Sequence, residues 1–182
     1  MRRYWILVVG LMVLLLLVFT VVEALEIDLL VDPSPWLATA SLAAAAVGVG
    51  LLVVDVLLPV PSSLVMVAHG SLFGLWLGAG LSLVGMVGAG LLAYVIGSRG
   101  SDRLGRAIGE NERARADRLL GRWGPIAIAL TRAVPILAET TVILAGASRV
   151  RAPVAMAAIV IGSIPVALAF AFIGAAATSA VQ

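Results

Sequence analysis

Long apolar runs constrain this chain more than any other feature of its sequence. The four longest are Tyr4–Val22, Trp36–Leu58, Ser71–Gly97 and Pro153–Ala176. A helix of about 20 apolar residues is long enough to cross a bilayer. Hydrophobic residues fill 62% of the 182 positions and charged residues 12%, whereas soluble domains have roughly 45–50% and 25%. The sequence therefore predicts an all-α integral membrane protein.

The first apolar run follows Arg2-Arg3 and ends beside Glu23. It is longer than the roughly 7–15 residues of a signal-peptide core, so we interpret it as a retained transmembrane anchor. A cleaved signal is the alternative. An acidic, proline-containing connector completes residues 1–35, and the main membrane domain is predicted at residues 36–176.

Several kinds of chemistry find no support in the sequence. The chain has no cysteine and one histidine, so neither a disulfide framework nor a metal site is predicted. No GxSxG nucleophile motif and no phosphate-binding GxxxxGK[ST] loop occurs. The net charge of +2 gives no indication of nucleic-acid binding. We expect no enzyme, no catalytic residue and no cofactor.

Two apolar segments are too short to cross a membrane and are bounded by helix-breaking residues. Pro59 and Gly70 bound the first, Pro135 and Gly146 bound the second, and both pairs are eleven residues apart. Matched broken helices are typical of inverted repeats, which meet at a substrate site near the bilayer midplane. We predict two facing re-entrant helical hairpins that form an inverted pseudo-repeat. The expected hairpin breaks are Pro59, Pro61, Gly70, Gly74, Pro135 and Gly146.

Three charged residues in or beside these segments are predicted to be functional: Asp55, Arg132 and Glu139. A charge at the centre of a membrane helix costs about 2.5–3.5 kcal/mol on insertion scales. We expect Asp55 to pair with Arg132 and Glu139 to exchange a proton. The alternative is that Arg132 extends to the membrane interface and that the acids cap helix ends.

Residues 98–122 form the one long polar stretch, with seven arginines and four acidic residues. The pattern predicts an amphipathic helix at the cytoplasmic face. Attraction to anionic lipid headgroups is the functional interpretation, and a solvated positive loop is the alternative.

Several motifs together resemble the DedA/VTT superfamily, the SNARE-associated Golgi protein domain. They are Pro59-Val60-Pro61-Ser62-Ser63, Gly70-Ser71-Leu72-Phe73-Gly74, the glycines around Tyr94, Arg132 with Pro135, and Ala145-Gly146. The resemblance implies two re-entrant hairpins among transmembrane helices. It also implies movement of lipids between leaflets, which in bacterial members is linked to undecaprenyl phosphate recycling and the proton-motive force. Asp55 and Arg132 match charged family positions, whereas Ser62-Ser63 and Ala138 stand where many members carry charges.

We therefore expect a multi-pass protein of the cell membrane that acts as a transporter, flippase or scramblase. Its expected partners are membrane lipids, including anionic or polyprenyl phosphate lipids, together with protons and further copies of the chain. One alternative is a proton-driven transporter of a small solute or ion. Another is a structural protein that maintains envelope integrity without transport.

Overall fold

The computed structural model describes residues 40–58, 60–107, 124–148 and 150–179, and six single positions between 9 and 21. Within residues 101–107 and 135–136 only the backbone is described. Every regular element in these ranges is an α-helix, as the sequence predicted. Most of the predicted anchor and connector at residues 1–35 lies outside the described residues, as does Pro59.

The described ranges form five helices. They are α1 (Leu42–Val54), α2 (Ser62–Ala107), α3 (residues 124–131), α4 (Pro135–Ala147) and α5 (Ala152–Ser179). Two stretches, Ser62–Gly100 of α2 and the whole of α5, are long and apolar enough to cross a membrane. The predicted polar stretch at 98–122 begins as a continuation of α2 to Ala107, and residues 108–122 lie outside the described part.

The first of these helices is shorter than the predicted span Trp36–Leu58. Ser41 caps its start by accepting a hydrogen bond from the Ala44 amide at 3.1 Å, and Asp55 follows its last turn. Its 13 residues extend for about 20 Å, which is less than the roughly 30 Å of a bilayer core. The prediction of a complete span in this region is wrong because these two polar residues end the helix early.

Two compact units divide the chain. The Asp55 unit comprises Val18–Ala89 and Ser163–Gln182, and the Arg132 unit comprises Met1–Leu17 and Gly90–Gly162. The boundaries at residues 89/90 and 162/163 fall inside α2 and α5, so each unit contains part of both helices. The Asp55 unit also contains α1, and the Arg132 unit also contains α3 and α4.

The second helix is broken at Gly74, which has φ 76° and ψ 175°. His69 Nδ1 and Ser82 Oγ, thirteen residues apart, lie within hydrogen-bonding distance at 3.0 Å. In a straight helix those two residues would be separated by about 20 Å along the axis. The chain therefore reverses at Gly74 and forms a first arm (residues 62–73) and a second arm that begins at residue 75.

Of the two breaks predicted in this helix, the one observed is at Gly74; the predicted break at Gly70 is wrong, because this residue is helical. A Cβ atom at Gly70 would lie 2.6 Å from Ala171 Cα and closer still to the Ala171 carbonyl oxygen. A Cβ at Gly174 would meet the Val67 carbonyl oxygen in the same way. These reciprocal glycines let the backbones of the first arm and α5 approach closely.

The core of the Asp55 unit lies between α1 and the first arm. Its buried residues are Ala44, Leu51, Leu52, Val60, Val65 and Met66. His69 is also fully buried. Its Nε2 lies against Gly48, at the place where a larger residue would have its Cβ atom. The His69–Ser82 hydrogen bond therefore connects the two arms of α2 inside a buried core.

We expect Ser82→Ala to lower the free energy of unfolding by about 1–3 kcal/mol, because it leaves a buried imidazole nitrogen without its hydrogen bond. Unfolding in mixed detergent micelles measures the change. Ser98→Ala is the matched control on the same helix, since its hydroxyl bonds only the Val95 carbonyl one turn earlier. Equal stability losses in the two variants would contradict a hydrogen bond that joins the arms.

The last helix runs without interruption from Ala152 to Ser179, through Gly162 and Pro165. Pro165 removes one backbone hydrogen bond, but the helix continues on both sides of it. Gly162 is helical, and its role is a contact in the Arg132 unit.

Candidate functional site

The site begins at the turn between α3 and α4, where Arg132, Ala133 and Val134 are non-helical. Pro135 is the cause. A residue before proline is driven out of the helical region, and Val134 accordingly has φ −123° and ψ 105°. Its amide donates to the Thr131 carbonyl at 3.0 Å, which closes a tight turn. Proline itself is well placed at a helix start, where its missing N–H costs nothing.

Two threonines connect the helices on either side of this turn. Thr131 Oγ1 and Thr141 Oγ1 lie 2.8 Å apart, whereas ten residues of straight helix would separate them by about 15 Å. The Thr131 hydroxyl also lies 2.7 Å from the Ala127 carbonyl oxygen, and the Thr141 hydroxyl lies 2.8 Å from the Leu137 carbonyl oxygen. Because each hydroxyl has one hydrogen, one threonine donates to the other, which in turn donates to a carbonyl of its own helix. The chain therefore reverses here as it does at Gly74, and Arg132 lies at the tip of the reversal.

The side chain of Arg132 is buried, with 6% of its surface exposed. Its Cγ passes Gly162 of α5, where a Cβ would lie 2.8 Å away. Its Nη1 reaches Gly90 of α2, where a Cβ would lie 3.3 Å away. The guanidinium is therefore held inside the Arg132 unit, between two apolar helices that provide room for it through glycine.

Other polar side chains flank Arg132 in the sequence, at the end of α3 and in the first two turns of α4. We call this set the polar cluster: Thr131, Arg132, Glu139, Thr140 and Thr141. Thr140 is buried and Glu139 is half-buried. Arg132, Glu139 and Thr140 each take part in at least one further polar, ionic or ring contact. The structure thus places the two predicted residues Arg132 and Glu139 in one unit, on either side of the helix break.

Asp55 lies in the other unit. It is half-buried at the C-terminal end of α1, and its Oδ1 accepts a hydrogen bond from the Val60 amide at 3.1 Å. This bond connects the end of α1 to the start of the first arm, in agreement with the alternative in which an acid caps a helix end. The pairing of Asp55 with Arg132 stays a prediction.

The remaining predicted break positions occupy different local settings. Pro61 directly precedes α2, and Gly146 is helical, one residue before the end of α4. A Cβ at Gly146 would meet the Tyr94 carbonyl oxygen, and one at Gly97 would meet the Ile143 carbonyl oxygen. In the Arg132 unit this second reciprocal pair brings α4 against α2, as Gly70 and Gly174 do for their helices in the Asp55 unit.

An open apolar groove of about 520 Å³ lies between α3 and the first part of α5. Its lining residues are Pro125, Ile126, Ala129, Leu130, Pro153, Val154, Ala157, Ala158 and Ile161. Ala129 belongs to both the groove and the Gly162 contact that borders Arg132. The same unit thus contains a buried cation and, beside it, a hollow with no polar side chain. In the part of the chain that the structure describes, no group of three or more histidine or carboxylate residues is arranged to hold a metal ion.

Gly90 and Gly162 were missed as site residues by the sequence interpretation. Gly90 lies in the apolar run Ser71–Gly97 and Gly162 in the run Pro153–Ala176, and a glycine in such a run is a signal of close helix packing. Neither signal identifies the partner, because Arg132 is 42 residues after Gly90 and 30 before Gly162 in the sequence. An arginine within an apolar run indicates that small residues must provide space for its side chain. It does not identify which small residues these are.

The described residues form only helices, two of them long and apolar enough to cross a membrane, and this architecture is consistent with a membrane protein. Residues 60–176 match the VTT domain, which covers well over half of the chain. The protein therefore belongs to the VTT domain family, the family of the DedA and SNARE-associated Golgi proteins. The resemblance seen in the sequence is confirmed. No curated protein sequence and no solved structure matches the chain.

Proposed function

We propose that this protein moves an anionic lipid or lipid-linked phosphate between the two leaflets of the cell membrane. The observation that carries the proposal is the placement of Arg132, a buried cation at a helix break in a chain made largely of apolar helices. Ionisable residues within membrane segments are costly and mark substrate or ion pathways. The family's membrane association agrees with this location.

Phosphate is the group that best matches an arginine in this position. A guanidinium is planar and presents five N–H donors that can bind two phosphate oxygens at once. In an apolar environment this attraction is much stronger than in water. A lipid phosphate that leaves one headgroup region for the other would meet Arg132 as a temporary partner along its path.

The apolar groove supplies a place for the rest of such a substrate. Its volume of about 520 Å³ falls within the roughly 300–1,000 Å³ of small-molecule sites. A hydrocarbon chain needs no polar contacts, and none of the nine lining residues offers a polar side chain. An amphiphile with an anionic head and an apolar tail therefore fits the two features together better than a small polar solute does.

The chain reversals at Gly74 and between α3 and α4 suggest how a path for the lipid could form. We infer that the arms on either side of Gly74, and α3 with α4, are re-entrant hairpins that form an inverted repeat within a multi-pass protein. Broken helices of this kind are tolerated in a membrane where protein shields their backbone, and they border substrate sites in many transporters. Glu139 and Asp55 are the proposed proton-exchanging groups. The proposal includes no covalent step and no catalytic residue.

The test is translocation of a fluorescent anionic lipid in liposomes that contain the purified protein. We expect the wild type to exceed protein-free liposomes by at least about tenfold, equivalent to lowering the barrier by about 1.4 kcal/mol. The assay is run with and without a proton gradient, and in parallel with a zwitterionic lipid. Solute uptake without lipid movement would support a small-solute transporter instead, and the absence of both would support a structural protein.

The groove is tested separately by Ala157→Trp, which fills it from an exposed position on α5. Ala169→Trp is the matched control, because Ala169 is also an exposed alanine of α5 and does not line the groove. We expect Ala157→Trp to slow a long-chain lipid by about tenfold and to leave a short-chain analogue unchanged. Similar effects of the two variants would exclude the groove as the site of the hydrocarbon chain.

A further inference from the structure

The Arg132 side chain is bounded at two points by glycines from different helices. At Gly162 of α5, a Cβ would lie 2.8 Å from Arg132 Cγ and closer still to the Ala129 carbonyl oxygen. At Gly90 of α2, a Cβ would lie 3.3 Å from Arg132 Nη1 and 2.9 Å from two methyl groups of Ile159. One contact borders the base of the side chain and the other borders its charged end.

We propose that Gly90 and Gly162 are positioning residues that fix the direction of the Arg132 guanidinium in the transport site. This inference rests on the proposed function. Gly162 determines the direction in which the side chain leaves the turn, and Gly90 determines where its charged end stops. Because a guanidinium binds phosphate through paired, coplanar N–H groups, its orientation decides how well it binds. Gly90 and Gly162 therefore control the preference for an anionic headgroup.

The two glycines differ in what a larger residue would displace. At Gly162 the nearest atoms belong to the backbone of Ala129, so alanine there would move α3 against α5 and change the fold. At Gly90 the three nearest atoms are side-chain atoms of Ile159 and Arg132. Alanine at Gly90 can be accommodated by moving those side chains, and it therefore perturbs Arg132 while the backbone stays in place. Gly90→Ala is the informative variant.

The experiment compares Gly90→Ala with Gly80→Ala in the liposome assay, for anionic and zwitterionic lipids over a range of concentrations. Gly80 lies on the same helix, and a Cβ there would meet no atom within 4 Å. We expect Gly90→Ala to raise the apparent KM for the anionic lipid by about threefold or more. A Cβ at 3.3 Å displaces Arg132 Nη1 by a fraction of an ångström, and a full misplacement of about 1 Å can cost up to about 100-fold. The transport rate of Gly90→Ala for the zwitterionic lipid stays unchanged. In Gly80→Ala the apparent KM values for both lipids stay unchanged. An unaltered lipid preference in Gly90→Ala overturns the proposal.

A double variant separates positioning from packing. Ile159→Ala removes the two methyl groups that a new Cβ at position 90 would meet, and it leaves the contact with Arg132 Nη1. If Gly90 acts through Arg132, the double variant Gly90→Ala/Ile159→Ala keeps the raised KM for the anionic lipid. Recovery of the wild-type KM would show that the single variant acts through packing against Ile159, and it would overturn the proposal.

A second measurement keeps this test independent of lipid transport. Phenylglyoxal modifies accessible guanidinium groups, and mass spectrometry of the full-length protein in detergent gives the rate at Arg132. We expect slow modification in the wild type and in Gly80→Ala, and modification at least about tenfold faster in Gly90→Ala, since about 1.4 kcal/mol of lost burial suffices. Equal rates overturn the positioning role. A faster rate in a protein that moves no lipid would uphold positioning while excluding the proposed function.

Discussion

Arg132→Ala is expected to lower the translocation rate of an anionic lipid by about 10- to 100-fold. Hydrogen bonds to charged groups contribute roughly 1.5–3 kcal/mol, and each ~1.4 kcal/mol of barrier is tenfold in rate. Arg132 is the buried cation at the tip of the reversal between α3 and α4, so its loss removes the proposed phosphate contact. The fluorescent-lipid assay in liposomes measures the effect, and a zwitterionic lipid should be affected much less.

Two further variants decide between a local and a global cause. Arg151→Ala removes an exposed arginine of the same unit and should leave the rate unchanged. Arg132→Lys keeps the charge but replaces the planar, two-point donor with a single ammonium, and it should give an intermediate rate. If Arg132→Ala folds normally and transports at the wild-type rate, Arg132 has no part in substrate binding.

The position of this arginine was predictable because the sequence contains its cause. An arginine, a proline and a glutamate within an apolar run indicated a broken helix, and Pro135 produces that break by excluding Val134 from helical geometry. The all-helical fold was predictable for a similar reason, since long apolar runs have few alternatives in a membrane. Local chemistry determined these features, and local chemistry is visible in a sequence.

Breaks in α2 were predicted at both Gly70 and Gly74, but which of the two glycines interrupts the helix was not predictable in the same way. Gly70 and Gly74 are four residues apart and equally able to interrupt a helix. What distinguishes them is a contact with Ala171, a residue 101 positions after Gly70. Gly70 is held in the helix where α5 crosses it, whereas Gly74 has no atom near the space of its missing side chain and takes the positive φ. Sequence spacing carries no information on which glycine meets a distant backbone.

The end of α1 was missed for a different reason. Ser41 and Asp55 are both residues that commonly flank helices, so a capping signal was present within the predicted span. The apolar composition of residues 42–54 outweighed that signal. The hydrogen bonds from Ala44 to Ser41 and from Val60 to Asp55 show that the polar residues define the ends.

Gly74→Ala is expected to destabilise the protein by about 1–3 kcal/mol, because φ 76° with ψ 175° belongs to a backbone region that is essentially restricted to glycine. Outside the adjoining backbone, no atom lies within 4 Å of the position of the new methyl group, so the cost comes from the local backbone and not from a collision with another part of the structure. Unfolding in mixed micelles measures the change. The loss should be accompanied by slower lipid translocation, since the reversal at Gly74 places His69 against Ser82.

Gly80→Ala is the matched control, and the expected change has the opposite sign. Gly80 is helical and equally free of neighbours, so alanine there should stabilise the helix by about 0.5–1 kcal/mol. The two substitutions add the same methyl group and lie six residues apart in α2. Their comparison thus separates the effect of backbone geometry on stability from the effect of space for the side chain. If Gly74→Ala is as stable as Gly80→Ala, the chain does not reverse at Gly74, and the proposal of a first re-entrant hairpin loses its physical basis.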